Sequence, residues 1–269
     1  MISSVKDVAS SNMARYIVKE YGFSETEIKV DHVKEAFSIG NLSLFIIDTE
    51  SWKFTGADEL RVNLAIFLSK HKSAKGIPAL TTHSLGNWND RNELGGKPHM
   101  LSASAPEQML MMLRRLNGID ADMEKVYEAT HHGPLLNVPS FFAELGGSDD
   151  IINNNELAER VGSAAYETAL DIADGKTDSE KIVIGIGSNH YPEKFSKLAK
   201  EKGYAFSYMF PKYAMFNQDG SGNFHMISQA IEKTKDLDLA VIEWKSLNVA
   251  ARNEVLKSLN DAGVDHEKV

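Results

Sequence analysis

Residues 181–210 read KIVIGIGSNHYPEKFSKLAKEKGYAFSYMF, and the succession of patterns within them decides the fold. KIVIGIG (181–187) is an apolar, β-branched run of strand length, residues 192–202 carry helical spacing, and strand character returns at 204–209. Strand, helix and strand in that order make the unit of a parallel sheet, because parallel neighbours need a long crossover between them. Downstream the alternation continues, with a helix at 224–235, the strand LDLAVIEW at 237–244 and a helix at 247–262.

Upstream the pattern is richer in strands. LSLFIID (42–48), VNLAIFLS (62–69), IPALTTH (77–83), MEKVYEAT (123–130) and SFFAEL (140–145) read as strands. PEQMLMMLRRL (106–116) has helical spacing with Pro106 in the favoured first turn, and 155–174 reads as a long amphipathic helix ending near Gly175. The expected class is α/β, a mostly parallel sheet with helices on both faces, in which the first part adds a mixed sheet or an elaborated insertion. There is no repeat, low-complexity tract or linker, so a single domain over residues 1–269 is the simplest expectation.

Of the 269 residues, 42% are hydrophobic and 25% charged, as in an ordinary globular chain able to bury a sizeable core. The N-terminal stretch lacks an uninterrupted apolar h-region, and no run is long enough to cross a bilayer, which predicts a cytoplasmic protein with no membrane partner. A net charge of −9 argues against indiscriminate binding to DNA or other nucleic acid. It leaves room for a local basic face, for which Lys70, Lys72 and Lys75, and Lys194, Lys197, Lys200 and Lys202, are the two clusters. With no cysteine at all, any transition metal must be held by His, Asp or Glu.

The histidines therefore carry weight. EATHHGP (128–134) sets two imidazoles side by side where a strand stops. While the strand lasts, Glu128, Thr130 and His132 share one side and His131 faces the other with Ala129. Both rings serve one site only beyond its end, which the Gly133-Pro134 step supplies. His83 and His190 also fall at or just past strand ends, where ligands gather in open α/β sheets, and Glu144 sits in the following strand. His190 opens a helix, where backbone N–H groups favour an anion or a developing oxyanion. The GIG at 185–187 lacks the third glycine and the ribose acid of a dinucleotide site, so a nicotinamide cofactor is excluded. His32, His71, His99, His225 and His266 sit in polar loop or helix contexts without a second ligand at useful spacing and read as lying outside the site; His71, between Lys70 and Lys72, is the one suited to touching phosphate. Met109, Met111 and Met112 read as core filler, and Trp52, Trp88 and Trp244 as packing, with Trp88 the best placed to stack on a base.

Several motifs together resemble one family. PALTTH…GN (78–87), GGKP (95–98), YEATHHGP (127–134), VPSFFAELG (138–146), GIG…HY (185–191) and PKYA (211–214) are similar, in order and over nearly the whole chain, to the archaeal-type D-aminoacyl-tRNA deacylases, which also have plant relatives. The resemblance implies a three-layer α/β/α fold of the phosphorylase/hydrolase-like kind and hydrolysis of the ester that joins a D-amino acid to the 3′ end of tRNA. Zinc is implied by the same resemblance, since the chain has no HExxH; His83, His131, His132, Glu144 and His190 are its candidate ligands. His83, Glu128, His131, His132 and His190 are the expected catalytic cluster. Thr82, Asn87, Thr130, Tyr191, Lys194 and Lys212 are the expected substrate contacts, and a monomer is expected. One departure stands out: the family's GGGHYAP is GSNHYPE here, with Ser188 and Asn189 in place of glycines. A metal-dependent amidohydrolase or peptidase, and a non-catalytic tRNA-binding module, are the competing readings.

Overall fold

A computed structural model of the chain describes residues 1–72, 76–177, 179–217 and 219–269. Lys75, from the first lysine cluster, lies outside the described residues. In chain order the strands are β1 (Ile2–Ser4), β2 (Ser24–Thr26), β3 (Val33–Ile39), β4 (Leu42–Ile47), β5 (Ala65–His71), β6 (Ala79–Ser84) and β7 (Gly86–Asn87). They continue with β8 (Met100–Leu101), β9 (Glu124–Tyr127), β10 (Ser140–Gly146), β11 (Lys181–Ser188), β12 (Tyr204–Pro211), β13 (Leu239–Ile242) and β14 (His266–Lys268). The helices are α1 (Val8–Tyr21), α2 (Pro106–Asn117), α3 (Asp149–Ile152), α4 (Asn155–Ala173), α5 (Glu193–Lys202), α6 (His225–Lys233) and α7 (Val249–Asp261). None of them is long and apolar enough to cross a membrane.

The mixed and parallel parts form separate sheets. The first has eight strands in the order β2-β3-β4-β1-β5-β10-β6-β9, with β4, β1, β5 and β10 parallel and β6 turning antiparallel to β10. The second, β12-β11-β13-β14, is wholly parallel, as its strand-helix alternation predicts. The register of β5, β10, β6 and β9 sorts their side chains by face, because strand neighbours alternate. Leu68, Leu80, Phe141, Ala143, Leu145 and Tyr127 point to one face, where they bury against Met13, Ile17, Met109, Leu110 and Leu113 of α1 and α2. That core runs on to Val183, Phe206 and Met209 of the second sheet and so joins the two sheets. Phe67, Phe142, Ala65 and Phe45 belong to the opposite face, packed with Phe54 and Leu136. Fully burying each such phenylalanine contributes about 1.5–3 kcal/mol.

The other face of β5, β10 and β6 changes character along its length. Beyond the stacked Phe67 and Phe142, whose ring centres lie 4.9 Å apart, the same rows continue with His71, His83 and Glu144. An apolar surface thus gives way to a polar one on one continuous sheet. His83 is the penultimate residue of β6 and Glu144 lies inside β10, as the strand SFFAEL predicts, while His131, His132 and His190 lie past the ends of β9 and β11.

Candidate active site

Two carboxylates form the centre. Glu128, the first residue after β9, and Glu144 of β10 are both buried. His71 Nδ1 lies 3.0 Å from Glu128 Oε2 and 3.6 Å from Glu144 Oε2. His190 Nε2 lies 3.0 Å and His131 Nε2 3.6 Å from Glu128 Oε2, and His83 Nε2 lies 3.6 Å from Glu144 Oε2. Glu128 Oε1 is buried without a hydrogen-bond partner. The imidazoles touch one another: His83 and His131 have ring centres 4.2 Å apart, His131 and His132 4.4 Å, and His131 and His190 4.9 Å.

The adjacent pair reaches one site through its backbone. His132 has φ 44°, a left-handed conformation uncommon for a non-glycine residue. This breaks the alternation, so His131 and His132 both turn towards His83, the latter with ring centres 4.9 Å apart. The segment is tied down on all sides. Gly86 N–H donates to His132 O at 2.8 Å, Ala129 N–H to His190 O at 2.8 Å and Thr130 N–H to Met209 O at 3.1 Å. Gly133 fits against the Gly95-Gly96 turn of the GGKP motif so closely that a Cβ on it would lie 2.2 Å from Gly96 N.

Electrostatics follow from this packing. Burial alone disfavours charge on every group here. It holds His131 well below its ordinary value, reinforced by the charges of His83 and His132, and holds His132 down to about 4. For His71 burial is opposed and outweighed by Glu128 and Glu144, which push it up to about 10. His83 is raised as well, Glu144 overcoming its burial. Burial pushes Glu128 up, but His190 and His71 outweigh it and hold it well below the usual carboxylate range; His71 and His83 do the same to Glu144. The metal-free centre therefore has ionised carboxylates, a cationic His71 and neutral His131 and His132, with His83 shifted towards its charged form.

The donor set fits a metal. Nδ1 of His83, His131 and His132 faces the backbone carbonyls of Ser84, Ala129 and Gly133 at 3.1, 2.8 and 2.7 Å. A carbonyl only accepts, so each Nδ1 carries the proton and Nε2 is the ligating atom, the arrangement that orients histidines around metals. These three rings offer nitrogens within 4.8 Å of one another; His71, Glu128 and His190 form a second such group, and His83, Glu128 and Glu144 a third. His83 Nε2 and Glu144 Oε2 are both buried without a hydrogen-bond partner, and a cation held by His83 would satisfy that nitrogen.

The other expected residues divide. Tyr191 packs its ring against His71 and His190. Thr130 is buried, its hydroxyl 2.6 Å from Ser84 Oγ and accepting from Met209 N–H at 2.9 Å, so it links the sheets. Asn87 donates to Gly95 O at 2.8 Å and shapes the GGKP loop. Thr82 points to the opposite face of β6 from His83 and is not brought into the cluster. The basic face does not form on α5: Lys194 pairs with Glu243, Lys197 with Glu201 and Lys202 with Glu267, while Lys200 donates to Lys125 O. Lys72 pairs with Asp149. Lys212 has no ion pair among the described residues. Trp88 is buried, stacked on Phe210 with its N–H on Thr130 O, and unavailable to a base. His71, expected in a polar loop or helix outside the site, is instead the last residue of β5 and the cation between the two carboxylates. Neither Ser188 nor Asn189 needs a positive φ, so the turn of the GSNHYPE segment forms without the family's glycines.

A cleft of about 470 Å³ opens beside His131 and His132, between the 86–94 loop and residues 213–217. Buried carboxylates and orienting imidazoles behind such a cleft define a hydrolytic, metal-capable centre on an α/β frame. The sequence comparisons then make the class specific. The family model for D-aminoacyl-tRNA deacylase matches residues 58–267, and the chain belongs to that family. The D-aminoacyl-tRNA deacylase of Thermococcus onnurineus (strain NA1) is 31% identical over 276 residues, covering 98% of this chain and 97% of the relative. That of Methanocaldococcus jannaschii is 30% identical over 280 residues, covering 100% and 98%. A crystal structure of a conserved protein of unknown function superposes with TM-score 0.87 at 24% identity, covering 99% of this chain and 93% of that one, a likeness of fold.

Proposed function

We propose that the chain hydrolyses the ester between a D-amino acid and the 3′-terminal adenosine of tRNA, acting as a single cytoplasmic domain with zinc as cofactor. The observation that carries this reading is the convergence of three carbonyl-pinned imidazoles, His83, His131 and His132, beside two buried carboxylates at the inner end of the cleft. These three residues, with Glu144 beside them, would hold the zinc. Zinc in such a setting acts as a Lewis acid and lowers the pKa of bound water to near neutrality.

An aminoacyl ester is already activated, so what remains is to position water, accept its proton and stabilise the oxyanion. Glu128 stays ionised and orients His71 and His190. His190 is more exposed than His71, His83 or His131, and its Nδ1 meets the hydroxyl of the cleft-lining Tyr213 at 3.3 Å. It is the group placed to move a proton between water and the leaving 3′-oxygen. Cationic His71 keeps the two carboxylates from repelling each other.

The deciding experiment offers matched D- and L-aminoacyl-tRNA and follows ester cleavage, with His131→Ala as control. Cleavage of the D form that is lost in the variant is expected. Cleavage of small peptides or amides without tRNA would instead support an amidohydrolase, and tRNA binding without cleavage a non-catalytic module.

A further inference from the structure

We propose that Tyr213 and Phe216 form a stacking platform for the terminal adenine of the substrate, with Arg91 receiving the phosphate on its 5′ side; this rests on the aminoacyl-tRNA reading above. Both rings line the cleft beside His131 and His132, and both are unusually open for large aromatic side chains, 55% and 39% exposed. Neither is loose. Tyr213 is anchored through its hydroxyl to His190 Nδ1 at 3.3 Å, and Phe216 lies edge-on against the buried Phe224 with ring centres 5.4 Å apart. A bridge between Phe216 and Gly222 fixes the backbone there as well.

Exposed aromatic faces held rigid beside a reaction centre are what a nucleobase stacks on, since every base offers a π-face. The distance fits the chemistry. In an aminoacyl ester the acyl carbon is joined to the ribose that carries the base, so the base must sit one sugar away from the histidines, and Tyr213 touches both regions. Arg91 stands on the opposite wall, in the 86–94 loop, and its guanidinium has no ion pair among the described residues. With Lys194, Lys197 and Lys202 of α5 paired to acids, Lys200 held by the Lys125 carbonyl, and Trp88 buried, stacking is the main grip left near the ester.

The test measures binding of adenosine 5′-monophosphate, adenosine and ribose 5-phosphate to the full chain by calorimetry. The wild type should bind the monophosphate better than ribose 5-phosphate. Tyr213→Ala and Phe216→Ala should each weaken it about tenfold, while Tyr213→Phe and Phe216→Tyr, which keep the ring, retain it and guard against misfolding. Arg91→Gln should bring the monophosphate down to the affinity of adenosine. Undiminished binding by both alanine variants, or no advantage of the monophosphate over ribose 5-phosphate, overturns the platform. The same preparations are given D-tyrosyl-tRNA: cleavage without monophosphate binding removes the platform alone, whereas ring-dependent binding without cleavage removes the deacylase reading and leaves the platform standing.

Discussion

At the scale of single residues, the site depends on which groups stay charged when buried. His71→Ala removes the cation that lies between Glu128 and Glu144, and breaking a buried pair in this way costs about 3–5 kcal/mol. Denaturant unfolding of that variant should show the loss, together with a fall in kcat. His131→Ala removes a neutral ring and should behave differently, with kcat falling about a hundredfold or more while the melting temperature moves no further than chelation moves that of the wild type. Equal damage to both properties would mean that His131 only packs. Most of this site is legible from residue types: His83, His131, His132 and His190 stand out by their positions near strand ends, Glu128 by its place in EATHHGP and Glu144 by its place in the following strand, and the structure brings them together. His71 is not, because the strand pattern VNLAIFLS stops at Ser69 while β5 continues to His71. Extending the strand by two residues puts His71 on the face of Phe67 and Ser69, and only knowledge of the strand order then reveals the carboxylates opposite.

At the scale of elements, the turn at Gly133 and the bridge between α2 and α4 can be perturbed separately. Gly133→Ala forces a methyl group against the backbone of Gly95 and Gly96, which have no flexible side chain to yield. Overpacking of this kind costs about 1–3 kcal/mol, to be read from the denaturation midpoint, and it should also disturb His132. Arg115 of α2 reaches Glu167 and Asp171 of α4, and Lys176 also pairs with Asp171. Lys176 and Arg115 hold Asp171 below its ordinary value. A depressed carboxylate contributes stability that is present above its unfolded pKa and lost as pH falls through its folded pKa. Asp171→Asn should therefore lower the melting temperature at neutral pH, and the gap from wild type should close in strong acid. The sequence patterns recovered the elements from β4 onwards that carry strong periodicity, such as α2 and β11. They did not reveal α1, whose buried positions include Ala9, Ser10 and Ala14, too small and polar to draw a clear stripe.

At the scale of the whole molecule, charge distribution sets how tRNA is held. Lysines 194, 197 and 202 were legible as a helical row, but their partners Glu243, Glu201 and Glu267 lie partly on other elements, and a row in sequence says nothing of what faces it in space. Affinity for tRNA should fall with rising salt, but less steeply than Lys194, Lys197, Lys200, Lys202 and Lys212 would give if all five were unpaired, at about 0.7–0.9 log units of affinity per log unit of salt for each phosphate neutralised. Titrations at several ionic strengths measure that slope, and a value near five full contacts would show the pairs opening on binding. Removing metal with a chelator should abolish cleavage and lower the melting temperature, and added zinc should restore both.

The peptide links from Ala129 to His190 and from Thr130 to Met209 mean that the histidine pair is held by a part of the chain made some sixty to eighty residues later. During synthesis the first sheet leaves the ribosome with its histidine pair held by Gly86 and Leu94 but not yet by His190 and Met209. A chain still being translated, surrounded by charged tRNAs, is thus unarmed until β12 has emerged. A fragment ending before residue 181 should accordingly leave D-aminoacyl-tRNA intact in a cleavage assay, however well its own sheet folds.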